Sequence, residues 1–157
     1  MNDVTLITGA SQGIGAATAR LLAAQGHTLL IHCAHRADLA QAVADECLQL
    51  GSPRAIVAQA DLATESDVLQ LFATADAALP PLTGLVNNAG IIDRTSRLDE
   101  MSAERLARMF AVNVVGPMLC AREAVKRMST KNGGKGAIAC SGTNSRTLAA
   151  RPQFNSS

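Results

Sequence analysis

The sequence has no tyrosine and no tryptophan, and only three of its 157 residues are phenylalanine. Its core must therefore be aliphatic, drawn from Ala, Leu, Val and Ile. No aromatic platform exists on which bases could stack, which argues against a single-strand nucleic-acid binder. An excess of one charge sign is also missing: 14 Lys and Arg stand against 13 Asp and Glu, with no basic stripe. Neither nucleic acid nor a membrane surface finds an electrostatic reason to bind. Long apolar runs are lacking too. Stretches such as Thr28–Ala34 fall far below the ~20 residues that span a bilayer, and no charged-then-apolar leader precedes the first apolar run. The four cysteines, Cys33, Cys47, Cys120 and Cys140, form no CxxC pair and read as free thiols rather than metal ligands or a disulfide frame. A cytoplasmic protein is expected.

What is present is 48% hydrophobic and 17% charged, a globular composition. Short β-branched runs alternate with longer small-residue, helical patterns. Strands are expected at Val4–Thr8, Thr28–Cys33, Arg54–Gln59, Thr83–Val86 and, more weakly, Ala137–Cys140. Between them helices are expected at Gly13–Gln25, with Gly26 as the stop, at Asp38–Leu50 before Gly51-Ser52-Pro53, and at Thr64–Ala78, with Thr64 near a cap. Glu65 and Asp67 in the first turn of that third helix suit its dipole. A long amphipathic helix is expected over Ser102–Met128, bent or broken at Gly116-Pro117. Strand–helix alternation at this spacing implies right-handed crossovers and a parallel sheet covered on both faces. Ligands bind such sheets at the carboxyl ends of the strands, at the topological switch point. Residues 1–141 read as one partial α/β domain and 142–157 as an irregular tail.

Thr8-Gly9-Ala10-Ser11-Gln12-Gly13-Ile14-Gly15 lies between the first strand and the first helix. Glycines there permit a tight turn and close approach of backbone to a pyrophosphate, and the helix start offers unpaired N–H groups to that anion. The spacing, Gly-x3-Gly-x-Gly, resembles the TGxxxGIG loop of the short-chain dehydrogenase/reductase family. Three further matches follow in that family's order: Asp61-Leu62 after the third strand, Asn87-Asn88-Ala89-Gly90 at the end of the fourth, and Asn113 in the long helix. The resemblance covers about residues 3–140.

The resemblance implies a doubly wound Rossmann sheet in strand order 3-2-1-4-5. It assigns Gly9, Ser11, Gln12, Gly13, Ile14 and Gly15 to the cofactor's pyrophosphate side, Asp61 and Leu62 to adenine, and Asn88, Ala89 and Gly90 to the ribose and nicotinamide path. Taken alone, Asp61 reads equally as a helix-start residue and Asn113 as a satisfied buried amide. In many Rossmann proteins an acidic residue about 20 positions past the glycines binds the ribose 2′-hydroxyl. Here that slot is Cys33, with His32 before it and His35 and Arg36 after it, and the first carboxylate is Asp38. This edge favours NADP(H) over NAD(H), although Gln12 stands where many NADP-preferring relatives carry a basic residue. His35-Arg36 also reads as a solvated helix start.

The family's acid/base is a tyrosine in Tyr-x-x-x-Lys, its phenol, with a free pKa of ~10, tuned by the lysine. This sequence has no tyrosine, and its last lysine is Lys135. Asn113 and Ser141 are the candidate catalytic residues that remain, while counting from Gly136 puts Thr143 at the usual serine position. Two accounts fit: a piece of a longer enzyme, or a shifted reading frame from about residue 139 with an unrelated tail. The fifth strand should be an exposed edge, and uncovered apolar surface should favour self-association. The 102–128 helix is the candidate homo-oligomer face. Three functions stay open: hydride transfer between NADP(H) and a small-molecule carbonyl or alcohol, a non-catalytic nucleotide-binding module, and a fragment without function. No metal ligand set is expected.

Overall fold

The computed structural model describes residues 3–92, 94 and 96–141. The expected tail, Gly142–Ser157 with Thr143, lies outside the described residues. Five strands, β1 (Val4–Ile7), β2 (Thr28–Cys33), β3 (Ala55–Gln59), β4 (Gly84–Asn87) and β5 (Ala137–Cys140), form one sheet in the order β3-β2-β1-β4-β5. Every pairing is parallel. The chain winds from β1 outward to β3, crosses back to β4 and continues to β5. Between β1 and β4 the winding direction reverses, so the connections after these two strands diverge and leave a crevice.

The helices follow from their apolar spacing. In α1 (Gly13–Ala24) the buried face is Ala16, Ala19 and Ala23, and such small side chains let the helix lie close to the sheet. In α2 (Ala37–Gln49) it is Ala40, Val43, Ala44 and Cys47, and in α3 (Glu65–Ala78) it is Val68, Leu71, Phe72 and Ala75, both at the i, i+3, i+4, i+7 repeat of an amphipathic helix. Strands β1 and β2 are buried at every position, as a sheet covered on both sides requires. Their side chains alternate between two cores. Val4, Leu6 and Leu30 pack with α3 and with α5 (Gly116–Met128), whereas Ile7, Leu29, Ile31 and Cys33 pack with α1 and α2.

The long helix differs in detail from expectation. It begins as α4 (Ala103–Phe110), capped by Ser102, whose hydroxyl accepts from the Arg105 amide. It then widens into a π-helical turn over Ala111–Val115 and resumes as α5. The irregularity thus precedes Gly116-Pro117 rather than falling on it. Pro117 has no N–H to return to the carbonyl of Asn113 and its ring crowds that carbonyl. A wider turn relieves both problems without ending the helix. Thr64 occupies the cap position of α3, but its side chain makes no capping bond.

β5 lies at the end of the described sheet and is only partly covered. On the α1 side of β4 and β5 a shallow cavity of about 380 Å³ opens between Thr5, His27, Val86, Ala137 and Ala139. Within α5, buried Glu123 accepts from Arg122, Lys126 and Arg127, and Arg127 also pairs with Asp76 of α3, tying the two helices together. All four cysteines are free thiols, and burial pushes that of Cys120 up to about 12. Among the described residues no helix is long and apolar enough to cross a membrane.

Candidate functional site

The carboxyl ends of β1 and β4 are stitched together by their own polar groups. The Thr8 hydroxyl accepts from the backbone amides of Asn88 (2.9 Å) and Ala89 (3.0 Å). In return the Asn88 side-chain amide donates to the carbonyls of Thr8 and Gly9, both at 3.0 Å. The glycine loop is thereby drawn onto Ala89. Gly9 has φ +64°, and a Cβ there would stand 2.8 Å from the Ala89 Cα, so the turn accepts only glycine. The loop then enters α1 at Gln12, with no side chain capping the helix. The first N–H groups of α1 therefore have no intrahelical acceptor and lie at the crevice.

A cleft of about 420 Å³ occupies this crevice, within the range of small-molecule sites. Of the residues singled out from the sequence, Gly9, Ser11, Gln12, Gly13, His35, Arg36, Asp61, Leu62, Asn88, Ala89 and Gly90 line it together. Ile14 and Gly15 do not: Ile14 is exposed and Gly15 is buried in α1. The glycine segment, the turn after β3 and the end of β4, far apart in sequence, thus share one concave surface.

Asp61 has two partners. One carboxylate oxygen accepts from the amide of Ala63, and the other from Arg108 of α4 at 2.7 Å. The Arg108 hydrogen bond holds the Asp61 carboxyl below the usual carboxylate range, against the opposing effect of partial burial. At the end of β2, Arg36 grips Asp38 through two nitrogens at 3.2 Å, so the first carboxylate past that strand faces Arg36. Asn113 lies in the π turn and is exposed, so it is a satisfied amide but not a buried one. Its side chain clamps one backbone unit: the Ile91 amide donates to its oxygen (2.8 Å) and its nitrogen donates to the Ile91 carbonyl (2.9 Å). Ser141 follows β5 and reaches the same strand ends, its amide donating to Asn87 and its hydroxyl to the Asn88 side-chain oxygen at 2.9 Å. Neither Asn113 nor Ser141 lines the cleft.

Five further lining residues have no role assigned from sequence: the apolar Ala34, Ile91 and Val112, and the polar Arg108 and His32. Arg108 is separated from Asp61 by 47 positions, and nothing local announces the pair. His32 left a trace: it is the one strongly polar side chain in the Thr28–Cys33 run, and it is buried. Its Nδ1 accepts from the Gly9 amide at 3.0 Å and its Nε2 faces the Ala60 carbonyl at 2.9 Å. Desolvation lowers its pKa, opposed by the Ala60 hydrogen bond and the Asp61 charge.

A parallel sheet in 3-2-1-4-5 order, with a glycine turn feeding a helix N-terminus at the switch point, defines a Rossmann-type fold of the dinucleotide-binding class. The short chain dehydrogenase family profile matches residues 3–157, and the chain belongs to that family, whose members bind NAD(P). It is 44% identical over 133 residues to an uncharacterized oxidoreductase of Escherichia coli (strain K12), spanning 85% of this chain and 53% of that protein. It is 37% identical to an NADPH-dependent aldehyde reductase-like chloroplastic protein of Arabidopsis thaliana, across 96% of this chain and 58% of the relative. Among solved structures, a short chain dehydrogenase from Burkholderia cenocepacia in complex with NADP superposes with TM-score 0.75 at 37% identity, covering 80% of this chain and 50% of that one. The chain spans about half the length of the relatives it matches.

Proposed function

We propose that this chain is the NADP(H)-binding part of an oxidoreductase that moves hydride between that cofactor and a small carbonyl or alcohol. The observation that carries the reading is the shared cleft, where the glycine-loop backbone faces Asn88–Gly90 across the switch point. The residues fit the group. A tight glycine turn and an uncapped helix start suit a pyrophosphate. Gly9, Ser11, Gln12 and Gly13 hold that side, with Ile14 and Gly15 shaping the helix start behind it. Asp61 and Leu62 bound the adenine end, and Asn88, Ala89 and Gly90 the ribose and nicotinamide path. His35 and Arg36 accept the 2′-phosphate, since no carboxylate other than the Arg36-bound Asp38 stands at the end of β2.

When bound, the cofactor supplies the hydride. The chain's own residues bind and orient. Asn113 fixes Ile91, the residue that follows the Asn87–Gly90 segment, and Ser141 presents a hydroxyl at the ends of β4 and β5. The 157 residues contain no tyrosine and so no phenol to serve as proton donor. We therefore read these residues as a binding unit without turnover of their own. A cytoplasmic setting and self-association through α4–α5, where Phe110, Val114, Met118 and Val125 are exposed, belong to the same reading.

Titration calorimetry of the purified chain with NADPH, and in parallel with NADH, tests the proposal. NADPH should bind, and more tightly than NADH, while no carbonyl compound drives NADPH oxidation above background. A folded chain that binds neither nucleotide refutes the cofactor assignment, and one that prefers NADH refutes the role of His35 and Arg36.

A further inference from the structure

The hydrogen bonds at the strand ends form a continuous path from β4 to β3: Asn88 to Thr8 and Gly9, Gly9 to His32, and His32 to Ala60. His32 is the link in the middle. Standing on β2, it touches both neighbouring strand ends at once, the start of the glycine loop on one side and the turn that carries Asp61 and Leu62 on the other. It is 1% exposed, so no water can take over either bond. The Gly9 amide donates, which requires an unprotonated Nδ1, and Nε2 therefore carries the hydrogen given to Ala60. Among the described residues no other side chain bonds to the Gly9 amide, and the sequence motif that defines the loop contains no histidine.

We propose that neutral His32 is a positioning residue for the cofactor cleft: it holds the glycine loop and the Asp61–Leu62 turn in register, and protonation at Nδ1 releases the loop. The inference rests on the NADP(H) reading for its effect on affinity, and on geometry alone for the clamp. A proton on Nδ1 would set two donors against each other where a 3.0 Å bond now stands. The charged groups around the ring are few. Asp61 comes from the turn after β3, Arg108 from α4 already engages Asp61, and His35 and Arg36 line the same cleft from the loop after β2. The end of β1, the end of β4 and the start of α1 bring no charged group to the cleft.

The direction follows from burial. Desolvation favours the neutral ring, so the folded-state pKa lies below the ordinary histidine value of ~6.5. The clamp is complete above that value. Its contribution to stability is lost as pH falls from ~6.5 towards the folded pKa, and the loss of NADPH affinity is centred on the folded pKa itself.

His32→Asn and His32→Gln separate the two bonds. The Asn oxygen lies as many bonds from the backbone as Nδ1, so it retains an acceptor for Gly9 and cannot titrate. The Gln nitrogen replaces Nε2 at Ala60 and leaves Gly9 without its acceptor. NADPH affinity of the unaltered chain should fall about tenfold as the His32 ring protonates, below the ordinary histidine value, the scale of one lost buried hydrogen bond. His32→Asn should remove that part of the fall, and any pH dependence it shares with the unaltered chain belongs to the cofactor's phosphate. His32→Gln should bind about tenfold more weakly at pH 7.5. In the nucleotide-free chain, hydrogen exchange of the Gly9 amide should accelerate as the His32 ring titrates, followed by nitrogen NMR, and should not do so in His32→Asn. Identical pH profiles for the unaltered chain and His32→Asn across the titration of the His32 ring overturn the proposal, as does Gly9 exchange indifferent to His32 protonation. Should NADPH fail to bind at every pH, the cofactor reading falls and the Gly9 exchange still decides the clamp.

Discussion

Replacing Gly9 with alanine tests the architecture of the cleft at its tightest point. Two costs add. The backbone there has φ +64°, a conformation that costs an L-residue ~1–2 kcal/mol. The new methyl would also stand 2.8 Å from the Ala89 Cα. That atom is backbone, held by the Thr8 hydroxyl on the Ala89 amide, so it cannot swing aside. Forcing a methylene into such a contact costs ~1–3 kcal/mol. The sum, about 2–5 kcal/mol, corresponds at ~3 °C per kcal/mol to a fall in Tm of about 6–15 °C for a chain of this size. Because the strain is relieved by moving the loop off Ala89, the amides that face the cleft move with it, and NADPH affinity should drop at least about tenfold. Gly133→Ala is the control. Gly133 has φ +74° but no atom within 4 Å of the place a methyl would take, and it lies in the loop after α5, away from the cleft. It should show the conformational cost alone, ~1–2 kcal/mol, with affinity unchanged. Urea or thermal unfolding read beside calorimetry decides the matter. If Gly9→Ala loses no more stability than Gly133→Ala and binds NADPH within about twofold of the unaltered chain, the close packing of loop on Ala89 does not shape the site.

Arg108→Ala should raise the Asp61 pKa towards the usual carboxylate range, measured by carbon NMR of the carboxyl, while stability at neutral pH changes by less than ~1 kcal/mol, as for an exposed pair. The Asp61 pKa is depressed in the fold, so its contribution is present above the ordinary carboxylate value and lost as pH falls through the folded one, and Arg108→Ala should shrink that acid limb. An Asp61 pKa indifferent to Arg108 contradicts the assignment. Met118→Glu, in the exposed stripe of α4–α5, should shift sedimentation towards monomer if that face joins two copies. An unchanged association state places the interface elsewhere.

The helices and strands were legible because each reports locally on its own burial. Ala40, Val43, Ala44 and Cys47 announce a helix face by spacing, and Thr28–Cys33 announces a doubly covered strand by unbroken apolarity. Ends were read less well. β4 runs one residue further than expected, to Asn87, because its pairing with β5 extends to Cys140. The π turn at Ala111–Val115 was read as a bend at Gly116-Pro117, since the proline is visible in sequence while the widening that accommodates it upstream is not. In the cleft, the glycine loop and Asn88-Ala89-Gly90 were legible as motifs, because each is contiguous. Arg108 was not, since an ion pair across 47 positions leaves no periodic signal. His32 was noticed only as the neighbour of Cys33.

By itself, then, the amino-acid sequence determined the alternation of strands and helices, the parallel sheet they imply, and a glycine turn able to accept an anion, for these depend on spacing and on the backbone freedom of single residues. Only the tertiary structure decided which of the motif residues face a common cleft, that Ile14 and Gly15 stand outside it, that Arg108 closes on Asp61, and that His32 bridges Gly9 to Ala60. The physical reason is the sheet order. Placing β1 between β2 and β4 brings residues 9, 32, 60 and 88 to adjacent strand ends, and distances between those positions are set by strand pairing rather than by separation along the chain.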